Sequence, residues 1–180
     1  MNKTGDILVV VDMQPGFPAS GHRPTLRNVR REITRAMADH CFIIFLELRS
    51  RDFGPTRKSL LALVKGYSDC RVVEKCDNDG SYDVTKTYQK NNWTPTGFRV
   101  VGVNKAACVS STAISLAQQI PSIVTTIIDD AAYGIEGGEV TNTYSWDKEF
   151  WTGFCKRHDM TYALDHFRNL PPVPSNLFVN

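Results

Sequence analysis

Residues 7–12 read ILVVVD, five consecutive apolar residues that run directly into a carboxylate, and this stretch decides the fold class. The run is short, rich in β-branched residues and without alternation, which is typical of a strand buried on both faces of a parallel sheet. Similar runs follow along the chain. They are residues 41–48 (CFIIFLEL), 71–75 (RVVEK), 98–103 (FRVVGV) and 122–129 (SIVTTIID).

Helical patterns separate these runs. Apolar residues recur at three- and four-residue spacing in residues 25–40, 55–65 and 109–120, and we expect a further helix near 146–157 before a short strand near 160–164. This alternation predicts an α/β protein, a three-layer α/β/α sandwich around a mainly parallel, Rossmann-like sheet of about six strands. In such sheets ligands bind at the carboxyl ends of the strands, so functional residues are expected there.

The composition limits the class of function. The chain has 180 residues, of which 42% are hydrophobic and 22% charged, with a formal net charge of +2. These values predict a single domain over residues 1–180, with residues 170–180 as an extended tail. The balanced charge disfavours a nucleic-acid partner, and the N-terminal apolar run is too short for a secretion signal or a membrane span. We therefore expect a cytoplasmic protein that acts on small molecules.

The chain has five cysteines, an odd number, which indicates reduced thiols. Cys41 and Cys155 fall within predicted elements and are expected to pack in the core. Cys76 is a possible reactive thiol beside Lys75, but alternation along the strand points it away from that lysine. Cys108 lies where the fourth strand turns into a helix, and this position favours reactivity.

Three reactive side chains lie at the carboxyl ends of predicted strands. Asp12 closes the first strand, Lys75 closes the third, and Cys108 opens the helix after the fourth. A helix N-terminus has free N–H groups and positive partial charge, and both it and a nearby lysine are expected to lower a thiol pKa. Taken singly, the three residues also fit ordinary roles: a turn aspartate, a solvated lysine and a buried thiol.

Together, three motifs resemble the isochorismatase-like cysteine hydrolase superfamily, which includes isochorismatases, nicotinamidases, N-carbamoylsarcosine amidohydrolase and ureide amidases. The motifs are D-M-Q at residues 12–14, K-(x5)-S-Y at 75–82 and G-V-N-(x3)-C-V-(x2)-T-A at 102–113. The resemblance implies a catalytic triad in which Asp12 takes the thiol proton, Lys75 stabilises the thiolate and Cys108 attacks a carbonyl carbon.

The resemblance also implies an oxyanion hole. A cis peptide bond between Val103 and Asn104 would turn the Asn104 N–H toward the Cys108 N–H, so that both donate to the developing oxyanion. A non-proline cis bond costs about 3–4 kcal/mol and usually marks a functional site.

The function implied is hydrolysis of a C–N bond in a small amide, carbamoyl or ureide substrate through a thioester. Nicotinamidases bind a metal through an Asp-x-His group after the second strand, whereas residues 46–56 here, LELRSRDFGPT, contain Asp52 but no histidine. We therefore expect no metal and no cofactor. The alternatives are a catalytically silent small-molecule-binding protein of the same fold and an isochorismatase-type ether hydrolase. A dinucleotide-dependent oxidoreductase is disfavoured, because residues 13–21, MQPGFPASG, lack G-x-G-x-x-G.

Weaker candidates for substrate binding accompany the triad. They are Gln14, Phe17, Trp93 and Tyr133, and the three aromatic residues fit plain packing equally well. The resemblance further suggests a homo-oligomer, a dimer or larger.

An aromatic stretch near the C-terminus offers a surface for such an assembly. It comprises Trp146, Phe150, Trp151 and Phe154. The same spacing also fits the core face of the last helix, so the sequence leaves both interpretations open.

Overall fold

The computed structural model describes residues 3–134 and 148–163, and a six-stranded parallel sheet forms its centre. The spatial order of the strands is β3-β2-β1-β4-β5-β6. Their bounds are β1 Lys3–Val11, β2 Phe42–Leu48, β3 Cys70–Lys75, β4 Trp93–Val103, β5 Val124–Tyr133 and β6 Thr161–Ala163. The sheet is flanked by helices, which confirms the predicted α/β/α sandwich.

Within residues 3–134 and 148–163, six α-helices and two other helical turns connect the strands. The α-helices are α1 Arg23–Ala38, α2 Ser50–Phe53, α3 Lys58–Leu61, α4 Ser81–Lys90, α5 Ser110–Gln119 and α6 Lys148–Arg157. A 3₁₀ turn, Pro18–Gly21, precedes α1, and a π-helical turn, Lys105–Val109, leads into α5. Within the described ranges no helix is both long and apolar enough to cross a membrane.

β1 lies at the centre of the sheet and is buried on both faces. Ile7, Val9 and Val11 pack into the core on one side of the sheet. Leu8 and Val10 pack into the core on the other side. All five side chains are fully buried, and each such side chain contributes about 1.5–3 kcal/mol relative to its exposed state. The unbroken apolar run at 7–11 therefore reflects two hydrophobic layers around one strand.

The strand order reverses direction between β1 and β4. β1 pairs with β2 on one side and with β4 on the other, so the connections that leave β1 and β4 diverge. A crevice opens at such a switch point, at the carboxyl ends of the strands. Asp12 follows β1, and Asn104 follows β4.

One predicted helix differs from the structure, and one predicted short strand is confirmed. The helix expected at 55–65 forms only at Lys58–Leu61, because the backbone then closes three-residue turns such as that from the Leu63 N–H to the Leu60 carbonyl. The strand expected near 160–164 is Thr161–Ala163. The predicted tail at 170–180 lies outside the described residues.

The aromatic residues of α6 contribute to the core. Trp151 and Cys155, four residues apart, are buried, and Phe154 packs against the adjoining core cluster. Phe150 contacts the edge of the Trp151 ring. Trp146 lies outside the described residues. The core interpretation therefore holds for Trp151 and Phe154.

Gly102 allows β4 to pass close to β1 immediately before Asp12. It pairs with Val11 and has a φ of +126°, which residues with a side chain rarely adopt. A Cβ at this position would lie 2.1 Å from the Val11 carbonyl oxygen. The end of β1, and with it the position of Asp12, therefore depends on a glycine at 102.

We predict that Gly102→Ala lowers the free energy of unfolding by about 3 kcal/mol, since overpacking adds to backbone strain. Gly66→Ala is the matched control, because Gly66 also has a positive φ, +85°, but a Cβ there would meet nothing within 4 Å. Gly66→Ala should lower the free energy of unfolding by about 1 kcal/mol, from backbone strain alone. Urea unfolding of both variants measures the difference, and equal losses would contradict the importance of the close approach.

Candidate active site

Asp12 is the first residue beyond β1, and its side chain is fully buried. Its φ of 52° is left-handed, a conformation that aspartate tolerates better than most residues. The Asp12 N–H donates to the Leu46 carbonyl at 3.0 Å, and the Asp12 carbonyl accepts the Gln14 N–H at 2.7 Å. These bonds fix the backbone where the carboxylate leaves the strand.

Lys75 ends β3 and is also fully buried. Its Nζ lies 3.2 Å from Asp12 Oδ2, so the two side chains form a buried ion pair. The same Nζ donates to the backbone carbonyls of Asp77 at 3.0 Å and Asn78 at 3.2 Å. An ammonium group has three hydrogens, so these acceptors use them all.

The acidic loop after β3 holds Lys75 with backbone carbonyls and not with its carboxylates. Asp77 Oδ1 accepts the Asn78 N–H at 2.6 Å, and Asp79 Oδ1 accepts the Ser81 N–H at 2.8 Å at the start of α4. The absence of a Cβ at Gly80 lets this loop close, because a Cβ there would lie 3.0 Å from Lys75 Cδ. Lys75 is thus free of competing carboxylates and pairs with Asp12.

Cys108 lies in the π-helical turn after β4, and only 2% of its surface is exposed. Its Sγ is 3.4 Å from Asn78 Oδ1, to which the thiol can donate. It borders a cavity of about 260 Å³. The described residues around this cavity are Phe17, Leu48, Asn78, Asn104, Ala107, Cys108 and Gly134.

The pKa of the Cys108 thiol is raised in the structure, whereas we expected a lowered pKa from the sequence. Burial, reinforced by the charge of Asp12, raises the pKa of Cys108 to about 12, and Lys75 opposes this only in part. Burial also raises the pKa of Asp12, again against the effect of Lys75. The expectation failed because removing the thiol from water outweighs the nearby positive charges. At neutral pH Cys108 is therefore a protonated thiol beside the carboxyl group of Asp12.

The expected cis bond between Val103 and Asn104 is not found, and this peptide bond is trans. The chain turns out of β4 through the left-handed conformation of Asn104, with φ 60° and ψ 53°. Asparagine adopts this conformation at little cost, whereas a non-proline cis bond costs about 3–4 kcal/mol. The prediction of a cis bond was therefore wrong for this structure.

Phe17 and Tyr133 both lie at cavities on this side of the sheet. Phe17 borders the thiol cavity and stacks on Phe53, with ring centres 4.4 Å apart. Tyr133, at the end of β5, stacks on His22 at 4.0 Å and borders a second cavity of about 370 Å³. Gly134 borders both cavities, so the two are neighbours.

Gln14 is fully buried and supports the site from behind. Its Oε1 accepts the Leu48 N–H at 2.8 Å, and its Nε2 donates to the carbonyls of Leu48 at 3.1 Å and Gly54 at 2.6 Å. Both amide hydrogens are used, so Gln14 ties the loop after β1 to the loop after β2. The expected role of Gln14 in substrate binding stays a prediction.

Trp93 lies at the opposite end of the sheet from the triad. It is the first residue of β4, pairs with Lys3 at the start of β1, and stacks on Phe42 at 4.4 Å. The residues before Trp93 are polar, at positions 89–92, but β4 extends back to Trp93. Trp93 is a core residue, and its expected place at the cleft is wrong.

Two groups at the site were missed by the sequence analysis. Asn78 lies in a polar turn, and neither its residue type nor its position in the sequence marks it as a functional residue. The second group is a partly buried ion pair in the neighbouring cavity: Lys105 Nζ lies 2.6 Å from Asp129 Oδ1 and 2.5 Å from the Tyr162 hydroxyl. Lys105 also lies 4.8 Å from the centre of the Trp151 ring. This pair joins the turn after β4 to β5 and β6.

The remaining cysteines and the candidate metal ligand can be placed directly. Cys41 and Cys155 are buried, as predicted, and Cys76 is exposed. Asp52 is exposed on α2. Among residues 3–134 and 148–163, no three His, Cys, Asp or Glu side chains are grouped to hold a metal ion. The donors that the described residues offer do not fit a metal at Asp52.

Comparison with solved structures identifies the fold. A nicotinamidase from Streptococcus mutans superposes with a TM-score of 0.68 at 10% identity, over 88% of this chain and 99% of that one. N-carbamoylsarcosine amidase from Thermoplasma acidophilum gives 0.63 at 15% identity, over 89% and 95%. The MAR1 ribonuclease from Caenorhabditis elegans gives 0.64 at 17% identity, over 100% and 97%.

Comparison of the sequence with known families and proteins, by contrast, finds no significant match. No family model matches the chain, and no curated protein matches it significantly. At identities this low, the structural matches establish the fold alone. The chain therefore has the same fold as these nicotinamidase and N-carbamoylsarcosine amidase structures.

Proposed function

We propose that the protein is a cysteine hydrolase that cleaves a C–N bond of a small amide, carbamoyl or ureide without a metal ion. The observation that carries this proposal is that Asp12 and Lys75, 63 residues apart, form a buried ion pair, that both act on the pKa of Cys108, and that Cys108 borders a small cavity. Structures of the same fold include amide hydrolases, which supports the same chemistry.

In the proposed first step, Asp12 takes the Cys108 proton as Sγ attacks the carbonyl carbon. The S–C bond forms and the carbonyl π pair moves to oxygen. Because the pKa of Asp12 is raised and that of Cys108 is higher still, the proton moves only as the attack proceeds. The tetrahedral intermediate then collapses, the C–N bond breaks, and Asp12 returns the proton to the leaving nitrogen. A thioester on Cys108 remains.

In the second step, Asp12 takes a proton from water, and the hydroxide adds to the thioester carbonyl. The C–S bond breaks, Asp12 returns the proton to Sγ, and the acid is released. The cavity of about 260 Å³ fits a substrate of a few heavy atoms. We retain the backbone N–H group of Cys108 as a proposed oxyanion donor, because a helix N-terminus presents free N–H groups to an anion. The Asn104 N–H is not retained, since the cis bond expected to turn it toward Cys108 is absent.

Lys75 acts on Asp12 and not on the substrate in this proposal. Its three hydrogens already have acceptors, so it has none to offer a carbonyl oxygen. Its charge keeps the buried carboxylate ionised, and an ionised Asp12 is what the first step requires.

RNA cleavage is a second candidate, supported by the match to a ribonuclease over the full length of this chain. The near-neutral charge and a cavity of this size favour an amide, since single-stranded RNA binds in extended basic grooves. Incubation with single-stranded RNA tests the alternative: cleavage that is lost in Cys108→Ala would replace the amide hydrolase proposal.

A homo-oligomer, a dimer or larger, remains a prediction. Size-exclusion chromatography with light scattering measures the mass directly, and a monomer at all concentrations would contradict it.

The central prediction is that the native protein releases ammonia from a compound in a panel of primary amides, carbamoyl compounds and ureides. Cys108→Ala should abolish this release, because no thioester can form. Mass spectrometry of the native protein, quenched during turnover, should show an acyl group on Cys108. Full activity in Cys108→Ala would overturn the mechanism, and Cys76→Ser is the control that should remain active because Cys76 is exposed and outside the site.

A second prediction separates thiol reactivity from hydrolysis. Asp12→Asn should reduce ammonia release at least about 100-fold by removing the base. The same variant should react with iodoacetamide at Cys108 about tenfold faster at pH 8, because the charge of Asp12 raises the thiol pKa. Alkylation is followed by peptide mass spectrometry in a Cys76→Ser background. Slower alkylation in Asp12→Asn would show that Asp12 does not act on the thiol in this way.

A third prediction concerns the ion pair. Lys75→Met should lower the free energy of unfolding by about 3–5 kcal/mol at pH 8, because it leaves a carboxylate buried without its partner. Burial already raises the pKa of Asp12 above its unfolded value, so Asp12 lowers stability as pH rises through this range, and losing Lys75 raises that pKa further. The loss should therefore shrink at pH 5, where Asp12 becomes protonated.

The control for this variant is Lys3→Met, which removes a pair with Asp69 at 2.7 Å in which the lysine side chain is 57% exposed. Exposed pairs contribute about 0–1 kcal/mol, so its effect should be small. Urea unfolding at the two pH values measures both variants. A loss in Lys75→Met that does not change with pH would show that Asp12 is not the group left unpaired.

A further inference from the structure

Asn78 is the side chain that approaches the reacting sulfur from the loop after β3. Its Oδ1 lies 3.4 Å from Cys108 Sγ, and its backbone carbonyl accepts the Lys75 ammonium at 3.2 Å. Its own N–H is held by Asp77 Oδ1 at 2.6 Å. The residue is exposed and borders the thiol cavity, so it lies where a ligand would enter. One residue thus touches both the nucleophile and the lysine that supports the base.

Two oxygen atoms near Cys108 are candidate acceptors for its thiol proton. One is Asn78 Oδ1, with which the thiol is paired in the structure. The other belongs to Asp12, whose Oδ1 is buried and has no partner at hydrogen-bonding distance and angle within the described ranges. The thiol and this carboxyl group are nevertheless close, because a hydrogen bond between them is among the causes that shift the pKa of each. Only a proton directed at Asp12 leads to attack, so the contact with Asn78 represents a resting position.

The Asn78 carboxamide also carries a donor. Its Nδ2 makes no hydrogen bond with any part of the chain that the structure describes, whereas every hydrogen of Lys75 has an acceptor. A carboxamide can therefore offer an N–H to a carbonyl oxygen beside the sulfur. Asn104 is the other asparagine that borders the cavity, but no contact with the thiol is seen for its side chain.

We propose that Asn78 is a further catalytic residue: its Nδ2 donates to the substrate carbonyl oxygen, and this bond releases the Cys108 thiol from Asn78 Oδ1 so that it turns to Asp12. Substrate arrival and thiol activation are thereby coupled through one side chain. The proposal rests on the proposed cysteine hydrolase function for its role in turnover. The contact between Asn78 and an oxygen atom on the adduct of Cys108 can be tested without turnover.

The test uses two small reagents on Cys108 in a Cys76→Ser background. Methyl methanethiosulfonate has no carbonyl group; the thiolate attacks its sulfenyl sulfur, an S–S bond forms, and methanesulfinate leaves. Acetaldehyde adds reversibly; the S–C bond forms, the carbonyl π pair moves to oxygen, and that oxygen takes the thiol proton. The hemithioacetal oxygen occupies the place of the oxyanion. The measured quantity is the acetaldehyde concentration that halves the rate at which methyl methanethiosulfonate modifies Cys108, followed in the peptide that contains this residue.

Asn78→Ala should raise this acetaldehyde concentration about tenfold, because the donor to the adduct oxygen is lost. The effect should be smaller than the factor of about 100–1,000 seen for enclosed oxyanion donors, since Asn78 is exposed. The rate of thiosulfonate modification without acetaldehyde should stay within about threefold. Once a substrate is identified, Asn78→Ala should lower kcat for it about tenfold, with little change in KM.

Equal protection of the two proteins by acetaldehyde would overturn the proposal. So would a parallel loss of thiosulfonate reactivity, which would indicate a merely structural role. Asn78→Asp is the isosteric second variant: it keeps an acceptor but no donor, so protection should again be lost, and its charge should also slow thiosulfonate modification. If the native protein hydrolyses no compound in the panel, and protection by acetaldehyde still depends on Asn78, the proposed hydrolase function fails. The role of Asn78 at the thiol then stands on its own.

Discussion

The buried ion pair between Lys75 and Asp12 constrains the rest of the site. Removing two charges from water costs several kcal/mol for each ion, and their mutual attraction offsets this only when their remaining hydrogen-bonding groups are also satisfied. The loop after β3 meets that condition for Lys75 with two backbone carbonyls, and Gly80 gives the loop room to close. The conformation of this loop in turn brings Asn78 to the thiol of Cys108.

The same burial determines how the proposed chemistry must run. A thiol whose pKa is raised to about 12 is not a ready nucleophile, so a positive helix end alone does not account for its reactivity. The carboxylate of Asp12 is unusually basic for its type and lies beside that thiol. A proton that passes between them during attack avoids a free thiolate in the resting protein. In the proposed mechanism Cys108 attacks a substrate only as Asp12 takes its proton, so the two residues act together.

The fold could be predicted from the sequence because it depends on local patterns, and the meeting of Asp12 with Lys75 could be predicted for the same reason. A strand buried on two faces must be continuously apolar, and parallel strands bring residues at their carboxyl ends to one edge of the sheet. Asp12 and Lys75 therefore meet in space from positions recognisable in the chain. Trp93 was misplaced for the complementary reason: a polar flank marks a loop only where no neighbouring strand pairs with it, and here Lys3 does.

What the sequence determined by itself is thus the order of elements, the two hydrophobic layers around β1 and the three residues at the strand ends. The tertiary structure alone decided the proton affinity of Cys108, the trans bond before Asn104 and the contact with Asn78. The physical reason is that periodicity is a property of neighbouring residues, whereas desolvation and hydrogen-bond geometry depend on which distant segments close over a group. Residue type and spacing encode the first, and only packing determines the second.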